Sequence, residues 1–294
     1  MQTILAVVFC ALVGVNGHGY LTNPLARQYR CFKDGDYWWP TDGEGIRDEA
    51  CRHAFNHVWH RSGTEAAQAM FTQVNEYAAL AGPDYSPAAI KDHVVGKDLC
   101  SANATGLTQF GDKSGMSIVA NWRRSLIEQE IEIEFCATAV HDPSKFKVFV
   151  TREGYDPANK TLEWSDFNWG ASFMTPHPTP KVSPDCSAEL SYKLPVKLPY
   201  RSIGTIFVWW QRIDPAGEGF YNCADFEMAP PPSTEEPEVP TCPEQECPAA
   251  PTCPECPACP PVVPVPEQEQ PQCCAAAHSP ALPPLTIDAS FTIG

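Results

Sequence analysis

The chain has 294 residues, enough for one or two domains with a sizeable core, and carries 36 acidic against 20 basic side chains, a net charge of −16. That balance argues against a nucleic-acid partner, whose phosphates call for clustered Lys and Arg. No apolar run reaches the roughly 18 residues that a membrane-crossing helix needs, so no membrane span is expected.

Residues 4–15, ILAVVFCALVGV, have the length of a signal-peptide core, with Val15 and Gly17 as the small residues of a cleavage site. Residues 1–17 are therefore read as a leader, and the product as secreted, with His18 as its first residue. Residues 44–95, including EACRHAFNHVWHRSG and GTEAAQAMFTQVNEYAALAG, are rich in helix formers and read as short helices. In IEQEIEIEF, Ile131, Ile133 and Phe135 fall on one face and glutamates on the other, the period of a half-buried strand. Phe146, Val148 and Val150 alternate in the same way, and SIGTIFVWWQRI is β-branched and aromatic. The expected fold is mainly β: an immunoglobulin/fibronectin III-like sandwich with a long helical loop excursion.

From residue 230 onward Pro, Glu and Cys dominate, and Lys and Arg are absent. Such a composition cannot bury enough apolar surface to offset ordering, so 230–294 reads as a disordered tail after a domain at 18–229. Of the 14 cysteines, Cys10 lies in the leader and seven in the tail. The odd tail number suggests disulfides between chains, and the prolines within Cys253, Cys256 and Cys259 argue against zinc. Six remain in the body: Cys31, Cys51, Cys100, Cys136, Cys186 and Cys223. They allow three disulfides in fifteen arrangements, as an exported protein would use. Sequons at Asn103 and Asn159 agree with export.

Two histidine sets compete as a metal site. His53, His57 and His60 share a helix face by spacing, with no acidic partner evident, and would suit metal storage. His18 and His141 are the other set. An N-terminal His18 offers a ring and a free α-amino group to one cation, and the His141 ring would complete a planar three-nitrogen set suited to copper. The amine's ordinary pKa of about 7.7 lets a metal deprotonate it near neutrality.

The blocks around this second set carry a resemblance. HGYLTNPLARQYRC, NEYAALAGPDY, FGDKSGM, EFCATAVHDPSKFKVFVT and WWQRIDPAGEGFYNCADF resemble, in order, the fusolin-type branch of the lytic polysaccharide monooxygenases. This is a chitin-binding domain family that includes bacterial chitin-binding proteins. The resemblance spans nearly all of 18–228 and omits the tail. It implies that His18 and His141 hold one copper ion, with Phe220 and Ala139 on its two axial sides. It implies that Glu76 is an acid near the oxygen-binding position and that Asp214 is a polar residue beside the site. Tyr20, Trp38 and Trp39 are candidates to stack on sugars. The implied disulfides are Cys31–Cys51, Cys100–Cys223 and Cys136–Cys186. The implied activity is oxidative cleavage of crystalline chitin with O2 or H2O2 and an external electron donor. Hydrolysis would need two facing carboxylates, and no motif nominates them. A chitin-binding accessory or matrix protein with little turnover is the alternative.

Overall fold

A computed structural model describes residues 18–35, 42–174, 176–200 and 202–230. The leader, Trp38 and Trp39, and the tail from 231 onward, with its cysteines, lie outside the described residues. The elements in chain order are β1 (His18–Asn23), α1 (Arg27–Asp34), α2 (Glu49–Ser62), α3 (Thr64–Thr72), β2 (Ala78–Leu80), β3 (Ser125–Ile127), β4 (Glu130–Ala139), β5 (Ser144–Thr151), β6 (Phe167–Met174), β7 (Thr179–Pro180), β8 (Leu190–Lys197), β9 (Ile203–Arg212) and β10 (Glu218–Met228).

The strands form two sheets, one ordered β1-β4-β8-β7 and one ordered β2-β10-β9-β5-β6, with β3 pairing parallel to β10. The mainly antiparallel sandwich expected from strand alternation is what forms. Its larger sheet is covered on both faces. Ile206, Val208 and Trp210 of β9 point into the core shared with the smaller sheet, beside Phe135, Phe146 and Tyr192. Phe207 and Trp209, one residue out of step, point into a second core with Phe55, Phe71 and Tyr77 from the helical excursion. Period-two side chains thus serve two cores at once, which is why β9 is buried at nearly every position.

The excursion contains the expected helices. Asp48 caps α2 by accepting the Cys51 N–H at 2.9 Å. The helix α1, by contrast, has no apolar stripe in the sequence. Its buried face includes Arg27 and Gln28, whose side chains meet Asp225 and Asn222 across the molecule. Gly35, in the left-handed region at φ 73°, ends it. Three disulfides form with the pairings that the family resemblance implies: Cys31–Cys51 joins α1 to α2, Cys100–Cys223 joins the excursion to β10, and Cys136–Cys186 joins β4 to the segment before β8.

One strand departs from its expected pattern. Alternation assigns the glutamates of β4 to solvent, but Glu134 is only 1% exposed. It accepts hydrogen bonds from Thr22 Oγ1 and Ser191 Oγ, both at 2.9 Å, and from the Val182 N–H at 2.9 Å. The 182–187 segment covers this face, so period two does not translate into exposure. Burial works to raise the Glu134 carboxyl, but the hydrogen bonds outweigh it and hold it below the usual carboxylate range. A folded-state pKa below the unfolded one stabilises above the unfolded value, about 4.3, and the benefit is lost as pH falls through the folded value. Acid titration of stability should therefore steepen below about pH 4 in the wild type and be shallower in Glu134→Gln, which loses about 2 kcal/mol at neutral pH. Denaturant melts at stepped pH check both.

Candidate active site

The site is assembled by the register of β1 on β4. His18 pairs with Ala139, two residues before His141, so the first strand's start and the fourth strand's end lie side by side. Gly19 makes this approach possible. A Cβ there would stand 2.4 Å from the Cys136 carbonyl oxygen and from Phe135 Cε1. The Gly19 N–H instead donates to Asn75 O at 3.4 Å, which brings the Asn75–Glu76 turn to the same strand.

Phe220, on β10, is fully buried, and its ring lies 6.0 Å from that of His18 at 83°, edge to face. It contributes no donor atom. His141 sits just past β4, half-buried, with its backbone clamped by one hydroxyl. Tyr192 OH accepts the His141 N–H at 3.3 Å and donates to the His141 carbonyl at 3.2 Å. The His141 Nε2 lies 3.3 Å from Asp214 Oδ2. Burial and then the Arg212 charge push the His141 ring below its ordinary value, against the pull of Asp214 and Asp142. The ring is neutral at pH 7 and keeps a lone pair for a cation.

Asp214 occupies the β9–β10 turn, where its Oδ1 accepts the N–H groups of Ala216 and Gly217 at 3.0 and 2.9 Å. Arg212 Nη2 reaches its Oδ2 at 2.6 Å, and Arg212 Nη1 also pairs with Glu218. Burial raises the Asp214 carboxyl, but the Gly217 N–H and Arg212 prevail and keep it below the usual range. Glu218, more deeply buried, is raised by that burial against the opposing pull of Arg212 and His18. This Arg212–Asp214–Glu218 cluster is only partly visible in the sequence. Charges inside WWQRIDPAGEGFYNC, a block otherwise apolar, are the signal that marks Arg212 and Glu218.

The structure thus brings together His18, Ala139, His141, Phe220 and Asp214, and places the turn bearing Glu76 against the same strand. It does not bring Tyr20 to the surface. Tyr20 is 2% exposed, its ring packs 4.7 Å from that of Tyr29, and its hydroxyl donates to Asp185 O at 3.0 Å. The expectation that Tyr20 stacks on sugar is corrected, since a buried ring offers no face to a pyranose. Tyr20→Phe is expected to leave polysaccharide binding unchanged in a pull-down assay while costing about 1 kcal/mol of stability.

The rival histidines do not converge. His53 leans on Glu49 at 3.9 Å, an acidic neighbour where none was expected, and the His60 ring lies against Trp59 at 4.6 Å. Burial and Arg61 lower His57. Among the described residues no three or more His, Cys, Asp or Glu side chains gather as a metal site. A set built from two imidazoles needs a third nitrogen from elsewhere, and a terminal amine on His18 is the group that could supply it. The donor chemistry fits copper: two imidazoles where β1 starts and β4 ends, with an apolar ring edge-on to one of them and the small side chain of Ala139 paired opposite His18.

Known proteins resemble this chain in sequence and fold. The family described as lytic polysaccharide mono-oxygenase, cellulose-degrading, matches residues 18–226. The chain is similar to the spindolin of Heliothis armigera entomopoxvirus, at 40% identity over 248 residues, which is 76% of this chain and 71% of that protein. Among solved structures it is similar to an entomopoxvirus fusolin studied for enhancement of virulence and in vivo crystallization into viral spindles. That match has a TM-score of 0.69 and 36% identity over 79% of this chain and 83% of the other. The fusolin spindle structure from Anomala cuprea entomopoxvirus aligns with a TM-score of 0.68 and 39% identity, over 73% of this chain and 92% of that one.

Proposed function

Since the chain belongs to the lytic polysaccharide monooxygenase family, we propose that its secreted form begins at His18, holds one copper ion on His18 and His141, and oxidatively cleaves crystalline chitin. The observation that carries this reading is the β1–β4 register, which sets His18 opposite Ala139 and so beside His141, with the Phe220 ring edge-on to His18. Chitin rather than another polysaccharide comes from the fusolin-type resemblance.

Bound copper would supply one-electron chemistry toward O2 or H2O2, fed by an external electron donor and directed at a sugar C–H bond. The chain's residues prepare the place. The His18 ring and amine and the His141 ring are the nitrogen donors. Phe220 would present an apolar ring with no donor atom beside His18, and Ala139 a side chain small enough to leave room there. Asp214, ionised and 3.3 Å from His141 Nε2, favours a cation there and orients the imidazole. Tyr192 fixes the His141 backbone, so ring position does not depend on a free loop. Glu76, on the turn held against β1, would be the acid beside the site. The end of a sandwich, rather than a cleft, suits a substrate that is itself a flat crystal.

The relatives favour a second role beside the first. Fusolin is described as forming viral spindles in vivo, and a chitin-binding matrix protein with little turnover would use the same surface without the chemistry. No helix among the described residues is long and apolar enough to cross a membrane. The deciding experiment is to incubate the copper-loaded secreted protein, its first residue established by N-terminal sequencing, with chitin and reductant. Oxidised oligosaccharides support the enzyme; binding without them supports the matrix role. A mature chain that starts elsewhere than His18 and still oxidises chitin removes the copper assignment.

A further inference from the structure

The block FGDKSGM is part of the family resemblance but has no part in the chemistry of the copper site. At its centre Lys113 is fully buried, at 0% exposure, a costly place for an ammonium unless its protons are taken up. Its Nζ donates to the Ala69 carbonyl at 3.2 Å and to Gln73 Oε1 at 2.5 Å, and it lies 5.5 Å from the centre of the Tyr77 ring. Ala69 and Gln73 belong to the last turn and the cap of α3. The ammonium therefore closes the negative end of that helix. Burial pulls Lys113 down to about 8, while the charges of Glu76 and Asp112 pull it back up. Beside it, Asp112 accepts from Ser62 Oγ at the end of α2 at 2.6 Å. The block thus fastens the ends of both long helices.

The segment after α3 leads to the site. The Glu76 N–H donates to the Gln73 carbonyl at 3.1 Å, closing a turn over 73–76. Within that turn Asn75 O accepts the Gly19 N–H at 3.4 Å. Tyr77 OH, donating to Met70 O at 2.6 Å, and Gln28 Nε2, donating to Val74 O at 3.5 Å, hold the same segment from its other sides. Three links therefore run from Lys113 to the residue after His18: Lys113 to Gln73, Gln73 to Glu76, and Asn75 to Gly19.

We propose that Lys113 is a positioning residue for the oxidative site, a buried cation that sets the 73–76 turn and so holds the Glu76 carboxylate and the His18 strand in one arrangement. Its effect on oxidation rates rests on the oxidative reading; its effect on the backbone does not.

The test uses the secreted protein and Lys113→Met, which keeps the side chain's length and removes its charge. In the metal-free protein, NMR exchange of the Gly19 amide is expected to rise at least ~10-fold while the amides of Val208 and Trp210 in β9 keep their rates. In the copper-loaded protein the initial rate of chitin oxidation is expected to fall ~10-fold, with copper affinity changed less than about threefold. Glu76→Gln should slow the wild type yet add little to Lys113→Met, the non-additivity of two residues acting as a unit. Wild-type Gly19 exchange in folded Lys113→Met overturns the proposal, as does a rise shared equally by the β9 amides. If Lys113→Met fails to fold, Gln73→Leu removes only the acceptor and must show the same Gly19 response; unchanged exchange there also overturns it. Absence of oxidised product from the wild type counts against the oxidative reading alone, and the amide comparison still decides the role of Lys113.

Discussion

His141→Ala is expected to weaken copper binding by more than ~100-fold, beyond the loss usual for a residue that merely supports a ligand, and to abolish oxidised products. The fold should survive. Tyr192 grips the His141 backbone through its N–H and carbonyl rather than through the imidazole, so truncation leaves the loop anchored. Calorimetric titration with Cu(II), paired with product analysis on chitin, reads both effects. His57→Ala is the control. Its ring lies on a helix face whose neighbours turn to Glu49 and Trp59 rather than to a shared centre, and copper stoichiometry should not change. Equal copper uptake by wild type and His141→Ala would refute the assignment of the second ligand.

Asp225→Ala is expected to cost about 3 to 5 kcal/mol of stability, the loss seen when one partner of a buried ion pair is removed. Arg27 and Asp225 are both almost fully buried and meet through two hydrogen bonds of 2.7 and 2.9 Å. Thr205 Oγ1 donates to the same carboxylate at 2.6 Å, Arg27 Nη1 donates to Met116 O at 2.8 Å, and the guanidinium lies 4.7 Å from the Trp122 ring centre. One pair thus joins α1, the excursion and the large sheet. Removing the carboxylate leaves a guanidinium charge without water or counter-charge, and the melting temperature should drop by about 10 °C. Replacing both partners with apolar residues of similar size, Arg27→Met with Asp225→Leu, is expected to recover most of the loss, because no charge then remains buried. Denaturant unfolding of the single and double variants, disulfides intact, distinguishes the two outcomes.

How much of each element is legible in the sequence depends on the range of its physics. Strands β4, β5 and β9 stand out because alternation or β-branched, aromatic density is a local signal, readable over eight to ten residues. Helices α2 and α3 show through composition. Helix α1 does not, because its buried side includes Arg27 and Gln28, and their partners lie 198 and 194 positions away. Hydropathy reads a buried ion pair as surface. The same blindness hides Glu134 and Lys113. His18 and His141, the proposed ligands, stand out through the motifs around them rather than through spacing. Tyr20 is misplaced because nearness in sequence to His18 says nothing about which face of β1 it takes. Alternation alone does not settle the matter: Tyr20 is two residues from His18, but an irregularity in pairing between His18 and Gly19 breaks the period there.

Gly19 has a practical side for anyone producing this protein. With Cys136 O and Phe135 packed where a Cβ would go, β1 has nowhere to slide, since moving either flanking residue into that slot forces a side chain into occupied space. An extra vector-derived methionine or alanine ahead of His18 could not be absorbed by shifting the strand along its neighbour. On the copper site proposed above, which needs the amine of His18, recombinant batches with ragged starts should behave as mixtures of competent and inert molecules, with apparent specific activity tracking the fraction of chains that begin at His18.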